Sequence, residues 1–256
     1  MGMQVKLSAT IMTLNNERDL ALCIESLLPL ADEILVVDSF STDKTELICA
    51  RYDKVRFVQN TWCGFIGQRN WASNEAKYDH IIAMDADEAL SEELQNSILA
   101  VKENWNGEGY YFNRLNQLCG KWMKHGRWYP DKKMRLYDRK TVKTVGTEPH
   151  GYFIAADGSM GSFLKGDLLH YCYPTLAEFV EKNNSYTTWF AEDAYKKGKK
   201  ISIFEMILKT KWRFFRDYFL KMGFRNGYLG LVSTVIESAN VFIKYAKLKD
   251  EYKKYE

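Results

Sequence analysis

The chain lacks paired cysteines. Its five, Cys23, Cys49, Cys63, Cys119 and Cys172, are scattered with no CxxC spacing, which argues against a zinc site and a disulfide framework and favours a reducing compartment. It lacks a long apolar run. The longest, "YLGLVSTVIESANVFI" (228–243), is short for a membrane span and contains Glu237, so no segment is expected to cross a bilayer. It lacks a strong charge excess, since a net charge of +3 over 256 residues does not mark a nucleic-acid binder. The opening "MGMQVKLSATIMTL" has no basic region followed by a long apolar core and a small-residue cleavage site, and Lys6 stands where acylation needs Ser or Thr. Neither a signal peptide nor N-myristoylation is expected.

What is present is ordinary globular material: 46% hydrophobic and 27% charged residues exclude a disordered chain. The length suits one large domain, or one domain with an appendage. Aromatics are plentiful, and most lie after residue 105. The first hundred residues alternate between two periodicities. "VKLSATIMTL", "EILVVDS", "VRFVQ" and "HIIAM" read as strands. "NNERDLALCIESLLPL", "STDKTELICARY", "IGQRNWASNEAK" and "SEELQNSILAVKENW" read as helices, the last capped by Ser91. Such βα alternation predicts a mostly parallel sheet with helices on both faces. Ligands of such sheets bind beyond the carboxyl ends of the strands. From 106 to 174 the pattern changes to antiparallel strands and loops rich in aromatics and cations, and from 175 to 256 it is helical. The expected organisation is therefore a domain over 1–174, with halves 1–105 and 106–174, and a helical region over 175–256.

Polar and acidic residues stand at the ligand edge of this sheet: Thr13, Asn15 and Glu17 after the first strand, Asp38, Ser41 and Asp43 after the second, and Asp85, Asp87 and Glu88 in "AMDADE" after the fourth. Three carboxylates this close repel one another. Either they form a solvated turn ahead of a helix, or they hold a divalent cation, for which hard oxygens are suited.

"ATIMTLNNE", "ILVVDSFSTDKT", "GQRNWA" and "AMDADE", in this order and spacing, together resemble family 2 glycosyltransferases of the GT-A (Rossmann-like) fold. "GKWMKHGRWYPDKKMRLYDR" and "LLHYCYPTLAEFVEKNNSYTTWFA" are similar to the bacterial subgroup that adds a hexose, usually glucose, to the lipopolysaccharide inner core. The resemblance implies an inverting hexosyltransferase with a UDP-sugar donor, Mn2+ or Mg2+, and a lipid-linked glycan acceptor. It places the enzyme in the cytoplasm or on the cytoplasmic face of the inner membrane. Asp87 is implied as a metal ligand and Asp85 as a donor contact. Asp38 is implied to accept the uracil N–H, Thr13, Asn15 and Glu17 to line the nucleoside pocket, and His170 to serve as a metal ligand or diphosphate contact. Arg69 is read as a fixed cation facing the donor, or as a structural partner of Asp85 or Asp87. Trp122 and Trp128 offer flat faces for the acceptor sugar or simply pack their loop, and Arg135 belongs to the basic acceptor-side stretch. Direct displacement needs a carboxylate base. Where the subgroup carries His-Glu, this chain reads "GTEPHGYF", so Glu148 is the first candidate and Asp131 the second.

Two alternatives stand beside this reading. A sugar-nucleotide nucleotidyltransferase would share the sheet but needs a glycine-rich phosphate loop, and "TLNNERDLAL" has no glycine. An inactive binding protein at the membrane surface is the other. "ISIFEMILKTKWRFFRDYFLKM" (201–222) sets apolar residues at steps of three and four amid lysines and arginines. That stripe is expected either to pack on the catalytic domain or a second subunit, or to lie on an anionic membrane.

Overall fold

A computed structural model describes residues 4–107, 109–146, 151–155 and 161–254. The expected alternation is present: β1 (Leu7–Thr13), α1 (Leu20–Leu27), β2 (Glu33–Asp38), α2 (Thr45–Cys49), β3 (Val55–Gln59), α3 (Gly64–Glu75), β4 (His80–Asp85) and, after a short strand, α4 (Glu92–Glu103). β1 pairs in parallel with β2 on one side and β4 on the other. The chain thus runs outward through β2 and β3, then crosses back past β1. This reversal opens a crevice at the carboxyl ends of the strands.

Both faces of these strands are covered. Ile34 and Val36 of β2 and Ile82 and Met84 of β4 pack with Leu20, Ile24 and Leu27 of α1. Their alternates, Leu35, Val37, Ile81 and Ala83, pack with Ala72 and Ala76 at α3. A strand buried on both faces needs a continuous apolar run rather than alternation, and every residue of β2 is buried.

The antiparallel part is built from β5 (Glu88–Leu90), β6 (Gly109–Leu118), β8 (Lys132–Asp138) and β11 (Ser162–Tyr173). The order across the sheet is β3-β2-β1-β4-β8-β6-β11-β5, and the two-residue β7 (Lys121–Trp122) pairs with β6. β9 (Val142–Val145) and β10 (Tyr152–Ala155) form a separate hairpin. This mixed sheet is the GT-A arrangement that the resemblance implied.

The residues fall into two units, Met1–Arg114 with Lys132–Tyr171, and Leu115–Asp131 with Cys172–Glu256. The expected boundary after residue 174 is corrected in one respect: Leu115–Asp131 group with the C-terminal helices. The reason lies in the packing of this second unit. Leu118 and Met123 share a core with Phe179 of α5 (Leu176–Lys196). Trp128, expected on the acceptor side, packs its ring against Phe179 and Tyr173, and its indole N–H donates to Ser233 Oγ at 3.3 Å. Packing, the plainer of the two readings of Trp128, is what the structure shows. α6 (Ile203–Phe215) and α7 (Gly227–Lys253) complete the unit, joined by a π-helical turn at Arg216–Leu220 and a 3-10 turn at Gly223–Asn226. Thr175 and Ser202 cap α5 and α6, Ser202 in a reciprocal box with Glu205.

Gly166 shows what the β11–α4 approach demands. Its φ is +92°, and a Cβ there would lie 2.2 Å from the backbone nitrogen of Leu94. Gly166→Ala is expected to cost about 2 kcal/mol or more, the upper range for a strained non-glycine conformation. Urea denaturation checks this, and an unshifted midpoint would remove the constraint from this contact.

Candidate active site

The register of the parallel strands brings the predicted polar residues to one edge. Thr13 lies opposite Asp38, and Met12 opposite Asp85. The loops beyond are tied to each other. Asn15 takes a left-handed φ of 49°, which asparagine tolerates better than most residues. Its N–H donates to Ser41 Oγ at 2.7 Å, and its side-chain oxygen accepts from the Thr42 N–H at 2.8 Å. One turn later, Glu17 N–H donates to Asp43 and Glu17 accepts from Lys44 N–H, each at 2.9 Å. Asp38 is fully buried. Its carboxylate accepts from the Ser41 N–H at 2.8 Å, from the Ser41 hydroxyl, and from Gln59 Nε2 at 3.2 Å. In this arrangement Asp38 orders the loop after β2. Thr13 Oγ1 is buried with no hydrogen-bond partner among the described residues.

The three acids after β4 occupy three different environments. Asp85 accepts from Arg69 Nη2 at 3.0 and 3.1 Å and from Arg135 Nη2 at 2.7 Å. Burial alone would raise its pKa. The charges of Arg135 and Arg69 outweigh that and hold the carboxyl well below the usual carboxylate range. Glu88 is the first residue of β5. It is wholly buried, accepts the Asp85 N–H at 3.0 Å, and receives Arg135 at 3.0 Å and Arg114 at 3.4 Å. Arg135, expected to face the acceptor, is therefore corrected: it is buried between Asp85 and Glu88. The physical reason is that the buried carboxylate of Glu88, with the partly buried Asp85 beside it, requires a fixed cation.

Asp87 faces a different partner. β11 pairs antiparallel with β5 so that His170 lies opposite Glu88, and the Tyr171 N–H donates to the Asp87 carbonyl at 2.9 Å. That register sets His170 Nε2 3.3 Å from an Asp87 carboxylate oxygen. The structure thus brings together the two side chains that the resemblance implied as metal ligands. Two ligand atoms on adjacent corners of an octahedral ion, each about 2.1 Å from it, stand roughly 3 Å apart, so this donor pair fits a divalent cation. Among the described residues, no group of three or more His, Cys, Asp and Glu forms a complete cage.

Among the described residues, Asp85 and Glu88 meet three arginines, at 69, 114 and 135. Arg69 Nε and Arg135 Nε are buried with no partner among the described residues. Cys23 donates its thiol weakly to the Asp85 carbonyl at 3.7 Å. Burial, together with the carboxylates of Glu88, Asp87 and Asp85, pushes that thiol well up, so it stays protonated and is no nucleophile.

Residues 8–156 match the model of glycosyl transferase family 2. The chain belongs to that family. The transferase is 31% identical over 255 residues to an uncharacterized glycosyltransferase of Rickettsia felis, covering 96% of this chain and 90% of the relative. It is 29% identical over 252 residues to the lipopolysaccharide core biosynthesis glycosyltransferase LpsC of Rhizobium meliloti, covering 96% and 92%. Among solved structures it is similar to S. aureus TarS 1–349, with a TM-score of 0.47, 14% identity and coverage of 98% and 92%.

Of the remaining predicted site residues, Trp122 lies in β7 and Asp131 ends the Leu115–Asp131 segment, both in the second unit. Glu148 lies outside the described residues. Sequence reasoning missed Arg114 and Gln59. Gln59 carried a usable signal, since it ends β3 in register with Asp38. Arg114 carried none, because only the sheet order brings it to Glu88.

Glu88→Gln would leave Arg135 and Arg114 facing an amide. Breaking a buried pair on one side costs about 3 kcal/mol or more. The urea midpoint is expected to fall accordingly, and a loss below about 1 kcal/mol would show that Glu88 is not what compensates the arginines.

Proposed function

We propose that this glycosyltransferase moves a hexose from a UDP-sugar to a lipopolysaccharide core or related cell-surface glycan, with inversion and with help from a divalent cation. The observation that carries the reading is the separation of the three acids. Arginines engage Asp85 and Glu88, while Asp87 meets His170.

In this reading Asp87 and His170 would hold the ion. The imidazole favours a transition ion, Mn2+, over Mg2+. When bound, the ion supplies charge neutralisation at the departing diphosphate. The chain's own contribution is positioning and electrostatics. The guanidinium of Arg69 beside Asp85 suits a diphosphate. Asp38, Thr13, Asn15 and Glu17 shape the nucleoside end, with the buried Thr13 hydroxyl available to a ligand oxygen. A carboxylate, Glu148 or Asp131, takes the proton of the acceptor hydroxyl as its oxygen attacks the anomeric carbon from the face opposite the leaving UDP. Trp122 offers an aromatic face to the acceptor sugar. The likeness to LpsC over nearly the whole chain supports the acceptor class. With the family established, the nucleotidyltransferase alternative falls away.

Two experiments test the reading. Asp87→Ala is expected to lower turnover by a factor of about a hundred or more, the scale for removing one electrostatic group from the transition state. It is also expected to abolish the strengthening of UDP binding by Mn2+ in calorimetry, with the circular dichroism spectrum unchanged. Retained Mn2+-linked UDP binding would remove Asp87 from the metal. For the base, Glu148→Gln is expected to bind the UDP-sugar normally and lose about a hundredfold or more in transfer rate. Full activity in Glu148→Gln, with loss in Asp131→Asn, would transfer the role to Asp131.

A further inference from the structure

α6 is turned inside out relative to an ordinary surface helix. Phe204, Leu208, Trp212, Phe215, Phe219 and Met222, spaced by three and four residues, are each between 47% and 73% exposed. The opposite side is the one that is buried, and it carries charge. Asp217 is 3% exposed and paired with Arg213 and with Arg216 Nε at 2.7 Å, and Arg213 also reaches Glu237 of α7. Only Met206 supplies α6 with a fully buried apolar contact, against Tyr245 and Leu248 of α7. A helix ordinarily buries its apolar stripe and solvates its charges. A row of six large side chains left in water marks an interaction surface.

The charge around the stripe identifies what it meets. Residues 199–231 hold eight Lys and Arg against two acids, Glu205 and Asp217, in a chain whose net charge is only +3. The excess is local, and the rest of the chain is net negative. Lys209, Lys211, Lys221 and Arg225 are exposed on and beyond the stripe. A second copy docked through this face would set cations against cations, since a two-fold interface places the same patch on both sides. No helix among the described residues is long and apolar enough to cross a membrane.

We propose that the outward aromatic stripe of α6 and the turn after it, with these four cations, docks the protein in the interfacial plane of an anionic phospholipid bilayer. The aromatic and aliphatic side chains enter the headgroup boundary, and the cations meet the lipid phosphates. Arg213 and Arg216 are not part of the contact, because Asp217 and Glu237 engage them away from water, whereas Lys209 meets Glu205 at 3.6 Å as an exposed pair that leaves its charge open to lipid. The proposal stands independently of the donor and acceptor assignments.

The test is co-sedimentation of the full chain with phosphatidylcholine vesicles carrying phosphatidylglycerol, alongside pure phosphatidylcholine vesicles. Binding is expected only to the anionic vesicles, and it is expected to weaken as salt rises. Each neutralised cation should weaken it about fivefold, so the variant with Lys209, Lys211, Lys221 and Arg225 all changed to Gln should lose several hundredfold. Trp212→Ser with Phe215→Ser should also release the protein, at unchanged thermal stability because both side chains are exposed. Three results would overturn the proposal. One is protein remaining in the supernatant at low salt. Another is equal binding to neutral vesicles. The third is a dimer, seen by light scattering, that dissociates in the Trp212→Ser, Phe215→Ser variant without any vesicle binding, which would assign the stripe to a second copy.

Discussion

Carboxylates separated by one and three residues cannot share a strand end as ions unless cations are fixed among them. Here Arg135 reaches Asp85 and Glu88 with the same Nη2 atom, at 2.7 and 3.0 Å, with Arg69 and Arg114 on the outer sides. The site's other features follow from that arrangement. Glu88 accepts the Asp85 N–H and so sets the shape of the loop. Because Glu88 is also the first residue of β5, its place opposite His170 delivers the imidazole to Asp87. A single buried guanidinium thus links the donor edge of the parallel strands to the antiparallel half of the sheet.

The edge at the ends of β1 and β2 is ordered by the same economy of local bonds. The loops after β1 and β2 exchange five hydrogen bonds through Asn15, Glu17, Ser41, Thr42, Asp43 and Lys44, and Asp38 anchors the loop after β2. What is left unsatisfied is telling. Thr13 Oγ1 and the Nε atoms of Arg69 and Arg135 are buried without partners among the described residues, and buried polar atoms ordinarily have them.

The second unit solves a different problem. Its core is made by α5 and α7 with the Leu118–Met123 hairpin, and α6 is attached through ion pairs more than through apolar burial. An Arg–Asp–Arg cluster with Glu237 fixes the rotation of the helix. That rotation is what leaves Trp212, Phe215 and their neighbours facing outward.

The alternation of strands and helices in the first hundred residues could be read directly, because a strand buried on both faces and a helix buried on one write different periods into a short window. The helix capped by Ser91 is legible for the same reason. That Thr13, Asp38 and Asp85 stand at one edge was legible, since parallel strands end at a common edge, and so was the family. The role of Arg135 was not. Its neighbours "DKKMRLYDR" look like one basic, exposed stretch, and only the antiparallel pairing of β8 with β4 and β6 turns Arg135 inward. The β5 strand was hidden for a similar reason, as three residues carry no period and its pairing partner lies far along the chain. For α6 the sequence by itself determined that the helix is amphipathic, because spacing is a local property. Only the tertiary structure decided which face points out, because that depends on Glu237 and Asp217 meeting Arg213 across two helices. The same division holds for the active site. Sequence alone placed three acids at a strand end, and the fold decided which of them received arginine and which received histidine.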